Sequence, residues 1–325
     1  MNTWTERLVQ QAKDTGFPLA AFIDIDMGHT AGPAPQFLTH FGRYQNWIEK
    51  GFHGEMKYLE RGLERRKNPR LLLPDAESVL CLAIPYRRNQ PKNLGQPLYA
   101  RYLQGHDYHV ALKEKLENLM LEFSKNAQFE NTLRWKVCVD TSAVLERSWA
   151  TLAGLGWIGK NSLLIHPKYG SYLFLAEVLI NQKSGEGPRP LPNYCGSCTR
   201  CLSACPTNAF LAPGVLNSND CISYLTLEKR GPWDKSETFK KKMGLWIAGC
   251  DICQEVCPFN LKPSKWEETW PVTKNDETSL EADWDKLETE IETEYKKRID
   301  QSALERIKFA DFKRNLENAK NNRDV

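Results

Sequence analysis

Cys195-Gly196-Ser197-Cys198-Thr199-Arg200-Cys201-Leu202-Ser203-Ala204-Cys205-Pro206 is the stretch from which the rest of this chain is best read. It is the bacterial C-x₂-C-x₂-C-x₃-C-P run that ligates a 4Fe-4S cluster. Cys250-Asp251-Ile252-Cys253-Gln254-Glu255-Val256-Cys257-Pro258 repeats it one cysteine short, and Cys221 stands between the two runs to supply the missing thiolate. Two cubanes need eight thiolates, and eight of the ten cysteines lie here. Three cysteines at intervals of three wrap one corner of a cube, while the fourth, followed by proline, is directed to the other cluster. That rule groups Cys195, Cys198, Cys201 and Cys257 around one cluster and Cys205, Cys221, Cys250 and Cys253 around the other. Zinc ribbons also pair C-x₂-C motifs, but they seldom use this run. Neither run reads C-x₃-C-x₂-C, which disfavours radical chemistry with S-adenosylmethionine.

Working outward, 325 residues allow two domains or one large domain with an inserted module. A hydrophobic share of 41 % is enough for a core, and a net charge of +3 gives no overall field for nucleic acid. Thiolates kept reduced imply a cytoplasmic protein. Met1-Asn2-Thr3-Trp4-Thr5-Glu6-Arg7 has neither an apolar signal core nor twin arginines, and no window reaches transmembrane length. The expectation is a cytoplasmic monomer with no membrane attachment.

Before the cysteines, helical and strand patterns interleave. Helices are expected over Trp4–Thr15 and His109–Asn126, and strands over Leu19–Ile25, Ser78–Pro85, Leu133–Val139 and Ser171–Ile180. A glycine-punctuated loop from Glu49 to Leu59 enters a short helix. The pattern predicts a layered α+β domain and not a dinucleotide fold, since Gly154-x-Gly156-x-x-Gly159 follows a helical pattern instead of a strand. The division is 1–185, then a cluster module over 186–262 entered through the Gly- and Pro-rich Asn181–Asn193. A polar linker and C-terminal helical segment follow over 263–325. Lys262 to Glu294 reads as loosely structured.

Outside the cysteines the densest polar stretch is Asp140-Thr141-Ser142-Ala143-Val144-Leu145-Glu146-Arg147, at the end of a strand, where layered folds place catalytic groups. Spacing alone favours a helix N-cap at Asp140 followed by a glycine-rich turn. Glycines 154, 156 and 159 would allow a flat or phosphate-bearing ligand to approach the backbone. His106-Asp107-Tyr108-His109 could bind a metal, but a cap on the following helix, or polar contacts to a large cofactor, fits better. Cys81 and Cys138 read as buried small residues.

Together these residues resemble the epoxyqueuosine reductases over nearly the whole chain. The likeness rests on Gly54-Glu55-Met56-Lys57-Tyr58-Leu59, Arg101-Tyr102 with Gly105-x-Asp107-Tyr108-His109, Asp140-x-x-x-Val144-Leu145-Glu146-Arg147 and Ala153-Gly154-Leu155-Gly156-Trp157-Ile158-Gly159-Lys160-Asn161. It continues through both cysteine runs, Cys221-Ile222-Ser223-Tyr224-Leu225-Thr226-Leu227-Glu228, and Ser302-Ala303-Leu304-x-Arg306 with Arg314-Asn315. The resemblance implies an α+β, nitroreductase-like cobalamin-binding domain, a bacterial ferredoxin-like module holding two 4Fe-4S clusters, and a short helical tail. It implies base-off cobalamin with no protein histidine on cobalt, in keeping with Leu112 where Asp107-x-His109-x-x-Gly would end. It implies reduction of epoxyqueuosine to queuosine at the tRNA wobble position, by cob(I)alamin fed from the clusters, with Asp140 as proton donor in a desolvated site. That role displaces the helix-cap reading.

The cofactor contacts implied are Lys57, Tyr58, Arg101, Tyr102, Tyr108, His109, Asp140, Lys160, Asn161 and Ser171. The partners implied are a tRNA anticodon stem-loop and a low-potential donor such as ferredoxin or flavodoxin. Lys229, Arg230, Lys235, Lys240, Lys241, Lys242, Arg306, Lys308, Lys313 and Arg314 are the candidates for a basic tRNA footprint. Some relatives carry helical repeats beyond this point, and this chain stops. The rival readings are a reductive dehalogenase and a ferredoxin-like electron carrier.

Overall fold

The computed structural model describes residues 3–26, 34–86, 95–126, 129, 132–261, 280 and 283–323. Its centre is an antiparallel sheet of β1 (Leu19–Asp24), β2 (Ser78–Pro85), β7 (Leu173–Ile180) and β4 (Trp135–Cys138), in the order β1-β2-β7-β4. Apolar side chains on both faces of β2 and β7 make this a sheet covered twice. Leu80, Leu82, Ile84, Phe174, Ala176, Val178 and Ile180 face α1 (Trp4–Asp14) and α5 (Tyr108–Asn126), meeting Leu8, Leu112, Leu116 and Met120. Val79, Cys81, Ala83 and Leu179 face α2 (Pro35–Glu49) and α6 (Glu146–Leu152), meeting Phe37, Phe41, Trp149 and Ala150. Successive strand residues alternate faces, so each strand serves both cores. The expected mixed helix-and-sheet layering is what the chain adopts. The strands lie within a few residues of their expected spans, while α2 had no counterpart in the sequence reading.

Smaller elements carry the chain around this sandwich. They are α3 (Lys57–Arg61), α4 (Leu63–Lys67), β3 (Leu98–Tyr99) and the hairpin of β5 (Trp157–Ile158) with β6 (Leu164–Ile165). The cysteine module contributes α7 (Arg200–Ala204), β8 (Phe210–Ala212), β9 (Val215–Leu216), α8 (Ile222–Leu227), α9 (Glu237–Lys242), β10 (Trp246–Ala248), α10 (Ile252–Glu255) and α11 (Pro258–Leu261). Strand β10 runs parallel to β3, so the module is stitched to the first part of the chain by backbone pairing. The tail forms α12 (Trp284–Thr289), α13 (Glu292–Ile299) and α14 (Phe309–Asn321).

The reading of Lys262–Glu294 as loose needs correction where it falls on described residues. Asp283 caps α12 by accepting from the Asp285 and Lys286 amides, and Trp284 and Leu287 are buried. Residues 262–279 and 281–282 lie outside the described residues. The tail shares one core with the module and the first domain. Tyr99, Leu103, Leu227, Ile247, Tyr295, Phe312 and Leu316 pack together, and the buried Asn315 donates to the Thr226 and Ile247 carbonyls. Among the described residues no helix is long and apolar enough to cross a membrane.

Candidate active site

A cavity of about 290 Å³ opens where these parts meet. Tyr58, Tyr86, Tyr102, Tyr108, His109, Asp140, Leu173, Phe174, Glu228, Ala303 and Arg306 line it, drawn from both sheet cores, the module and the tail. Aromatic packing makes the wall stiff. Tyr108 stacks between Phe174 (ring centroids 4.3 Å apart) and the His109 imidazole (4.0 Å). Tyr86 packs on Phe174 and Tyr172.

Asp140 follows β4 on a turn with φ 42°, a left-handed conformation that aspartate tolerates better than most residues. Its N–H donates to Glu146 Oε1 at 2.6 Å. The sequence reading of Asp140 as a helix cap is therefore wrong. Helix α6 begins at Glu146, its N-cap is Leu145, and it is Glu146 that reaches back to hold Asp140. The Asp140 carboxylate meets His109 Nε2 at 2.9 Å, and His109 Nδ1 meets Asp107 Oδ1 at 2.5 Å. Asp107 also accepts the His109 amide, so the expected cap on α5 exists and orients the imidazole as well.

Burial would lower the His109 pKa, but the hydrogen bonds and charges of Asp107 and Asp140 outweigh it and raise it to about 9. Both ring nitrogens then donate, and the ring is an imidazolium at neutral pH. Burial, and then the charge of Asp140, push the Tyr102 and Tyr108 hydroxyls well above their ordinary range, so both stay protonated as donors. The desolvated setting expected for Asp140 is not found in the chain alone, since its side chain is 46 % exposed. On the opposite wall Arg306 Nη2 donates to Glu228 Oε2 at 3.0 Å and lies over the Tyr58 ring.

The thiols gather into two neighbouring groups. Burial raises Cys257, and Cys195 and Cys198 stand close enough to raise it further; Cys201 is raised by burial and by Cys195 and Cys257. In the other group burial raises Cys221, Cys250 and Cys253, with Cys205 bearing on Cys221 and both of these on Cys253. Cys253 also feels Cys201, so the groups adjoin, and it bears on Tyr86 in the cavity wall. All eight thiols are free. Among the described residues no three His, Cys, Asp or Glu side chains converge on a single ion; a cubane holds its thiolates further apart than one ion does.

Several residues expected as cofactor contacts join the module to the first domain. Lys160 Nζ donates to the Gly196 and Cys198 carbonyls in the first cysteine loop. Arg101 bonds Asp251, Glu255 and the Tyr172 hydroxyl. Ser171 is buried among Gln254 and Asn260. Lys57 is exposed beside Tyr58. Asn161 Nδ2 and its neighbour Ser162 Oγ are buried without a partner.

The glycine triplet answers to the chain's own packing. A Cβ on Gly156 would stand 2.4 Å from the Ile165 carbonyl oxygen, and one on Gly159 would stand 2.4 Å from Ile165 Cδ1. It is the β5–β6 hairpin that approaches Gly156 and Gly159.

Most of the expected basic footprint is paired within the chain. Lys229 pairs with Glu55, Lys235 with Asp220, Lys240 with Glu237, and Arg230 with Asp311. Lys313 bonds the Leu287 and Glu288 carbonyls, and Arg314 bonds those of Lys229, Gly231 and Leu225. Lys241, Lys242 and Lys308 stay exposed. Sequence reasoning missed Tyr86, Leu173 and Phe174 as cavity residues, since nothing in a buried strand pattern marks its end as a wall. Glu228 and Arg306 lay inside quoted motifs, but only the fold makes them a pair.

Eight thiols beside a pocket holding an acid–imidazolium couple define an iron–sulfur oxidoreductase. Residues 194–260 match the family model of the 4Fe-4S double cluster binding domain, and residues 66–141 match that of epoxyqueuosine reductase QueG, DUF1730. The chain is 34 % identical to an epoxyqueuosine reductase of Leadbetterella byssophila over 97 % of this chain and 98 % of that one. It is 38 % identical to that of Cyclobacterium marinum over 86 % and 87 %. A selenomethionine-labelled epoxyqueuosine reductase superposes with a TM-score of 0.81 at 30 % identity, covering 98 % of this chain and 81 % of that one. An epoxyqueuosine reductase crystallised with an epoxyqueuosine-modified tRNA-Tyr stem loop superposes with a TM-score of 0.79, at the same identity and coverage. The chain belongs to the epoxyqueuosine reductase family.

Proposed function

We propose that this enzyme reduces epoxyqueuosine to queuosine in the anticodon loop of tRNA, with Asp140 delivering a proton at the epoxide. The observation that carries this reading is the Asp140–His109–Asp107 chain in a pocket whose wall, at Tyr86, adjoins the Cys253 thiol group. Removing an epoxide oxygen as water and leaving a double bond takes two electrons and two protons. The imidazolium of His109, donating to the Asp140 carboxylate through Nε2, passes its proton to Asp140, which delivers it to the departing oxygen, and the second proton enters from solvent through the same pair. Tyr102 and Tyr108 hydroxyls orient the substrate's oxygens. The left-handed turn keeps Asp140 projecting from the end of β4. A Bacillus subtilis relative described with its aspartate-bearing catalytic loop swung out of the active site supports a loop aspartate in this role.

Two 4Fe-4S clusters on the two thiol groups would carry electrons inward, the first held by Cys195, Cys198, Cys201 and Cys257, the second by Cys205, Cys221, Cys250 and Cys253. Trp157 donates to Cys195 Sγ at 3.4 Å, a bond that would tune the potential of a cluster held there. The electron source would be a low-potential carrier such as ferredoxin or flavodoxin. Base-off cobalamin, on a nitroreductase-like sheet, fits the remaining features. The aromatic wall of Tyr58, Tyr102, Tyr108 and His109 suits a flat macrocycle, and the orphaned Asn161 and Ser162 atoms suit its amide-bearing rim. Bound there, cobalamin would supply the strongly reducing centre that the reaction needs.

The tRNA would approach over Lys57 and Lys308, exposed neighbours of the cavity residues Tyr58 and Arg306, with the target nucleotide turned out of its loop. The test is anaerobic reconstitution with iron, sulfide, cobalamin, a reductant and tRNA carrying epoxyqueuosine, followed by mass spectrometry of the digested nucleosides. Loss of one oxygen from epoxyqueuosine is expected. No conversion by protein loaded with iron and cobalt would overturn the reading.

A further inference from the structure

The first thiol group lies at the surface of the module, and its surroundings stand apart in exposure and in charge. Cys195, Cys198 and Cys201 sit on a loop whose Tyr194, Gly196, Ser197, Thr199 and Arg200 are all exposed. Tyr194 keeps 52 % of its surface in solvent while its ring packs edge-on against Trp157, centroids 5.1 Å apart. Trp157 donates to Cys195 Sγ, so an exposed ring is two contacts from a thiol of the group. Beside the loop, the β8–β9 hairpin leaves Leu211 and Val215 exposed. Lys160 joins hairpin to loop: its carbonyl accepts from the Gly214 N–H at 2.9 Å, and its Nζ donates to the Gly196 and Cys198 carbonyls. Single apolar side chains on a surface are ordinary, but three around one redox loop make a patch.

Charge sets the same region apart. Residues 147–176 and 187–219, which frame the loop, contain no Asp or Glu. They bring Lys160, Lys168 and Arg200 to it, while Arg147 turns to the Ser162 carbonyl and Arg189 to Glu186. Arg200 is exposed between Cys198 and Cys201. The exposed Lys168 belongs to a turn that lies against Phe259 and Asn260, directly after Cys257. A basic rim around an apolar centre is the complement of an acidic partner. The second thiol group lies deeper. Burial pushes Cys250 and Cys253 well above the ordinary thiol range, and Cys253 adjoins Tyr86 in the cavity wall. An electron bound for the pocket would therefore enter at the first group.

We propose that Tyr194, Leu211 and Val215, rimmed by Lys160, Lys168 and Arg200, form the docking surface for an acidic flavodoxin-type carrier whose flavin presents its apolar dimethylbenzene edge to Tyr194. A flat apolar edge set in an acidic face answers both features at once. An acidic iron–sulfur carrier would use the rim but leave the apolar centre unmatched. Charge speeds the encounter, and a small contact area lets the spent carrier leave, as in other weak electron-transfer complexes. Each docking passes one electron: the anionic hydroquinone of the carrier's flavin loses it, keeping its N5 proton, and the first cluster gains it. Two dockings supply the pair that one epoxide takes. The inference rests on the proposed cluster relay and goes beyond it by giving the carrier a surface on this chain.

The experiment titrates the iron-loaded holoenzyme with FMN-loaded flavodoxin and compares its Arg200→Glu and Leu211→Asp variants. Both changes should weaken the affinity at low salt by about tenfold or more. The wild-type affinity should itself fall as salt rises. Stopped-flow reduction of the clusters by flavodoxin hydroquinone, below saturation, should slow by the same factor. Reduction by dithionite, iron content and stem-loop affinity should stay unchanged. Leu211 is an exposed hairpin residue that ligates nothing, so its variant reads the surface even where Arg200→Glu disturbs the cysteine loop. Unchanged flavodoxin affinity in Leu211→Asp overturns the proposal, as does an absence of binding to wild type. Loss of stem-loop affinity in the variants would make this a nucleic-acid face. Tighter, variant-sensitive binding of an acidic ferredoxin would give the surface to that carrier, and either result overturns the assignment. Failure of the dithionite-driven wild-type enzyme to convert epoxyqueuosine would instead strike the reaction itself, leaving the binding result standing.

Discussion

The two thiol groups and the acid pocket are assembled in opposite ways. The thiols come from one continuous region, Cys195 to Cys257, where short turns such as α7 and α10 set their spacing directly. The pocket takes Tyr58, Tyr86, Tyr102, His109, Asp140, Phe174, Glu228 and Arg306 from segments that only tertiary contacts bring together. The first kind of site survives as a local motif; the second exists only while the sheet, the module and the tail are docked. The comparison predicts that damage to a thiol is confined to its own cluster, whereas damage to pocket residues changes chemistry while leaving iron content alone.

The largest effect belongs to Cys253→Ser. It should remove turnover and about half of the bound iron, read by iron assay and by electron paramagnetic resonance of the reduced protein. Full iron loading with normal turnover would detach that thiol from the electron route. Next, Asp140→Asn keeps a residue that tolerates the left-handed turn but removes the transferable proton. Turnover should fall by about 10²–10⁴, with iron, cobalt and stem-loop binding unchanged. Retained activity would reassign the proton donor.

His109→Gln should have a smaller, pH-dependent effect. The histidine's folded pKa, about 9, lies above its ordinary 6.5. Its stabilisation is thus complete below about 6.5 and is lost as pH rises through about 9. The gap in melting temperature between wild type and variant should close over that window, and a constant gap would mean that the ring is not charged. Lys308→Glu should have the smallest effect, weakening stem-loop affinity several-fold at low salt, with the difference fading as salt rises. A salt-independent loss would point to misfolding of the tail.

The strands and long helices were legible because apolar periodicity is local. Ser78–Pro85 was read to the residue, and α1 and α5 to within one. Asp140 was legible as important from its motif, but its job as a supposed cap was not. The helix start that would have made it one lies six residues on, at Glu146, and that placement follows from packing of Trp149 and Ala150 against the sheet. The basic stretches were only partly legible for a related reason. A lysine or arginine in a sequence carries no sign of whether an Asp or a carbonyl will meet it, and Arg314, Arg230 and Lys313 all found partners inside.

By itself the sequence determined the grouping of eight cysteines, the interleaved elements and the family likeness, because each is written in spacings of a few residues. Tertiary structure alone decided that His109 charges between Asp107 and Asp140, that Lys160 and Arg101 hold the module in place, and that Glu177 is buried without a hydrogen-bond partner. Those outcomes depend on distances between residues far apart in the chain, and on the water excluded when the layers close. Neither quantity is encoded in any local run of residues.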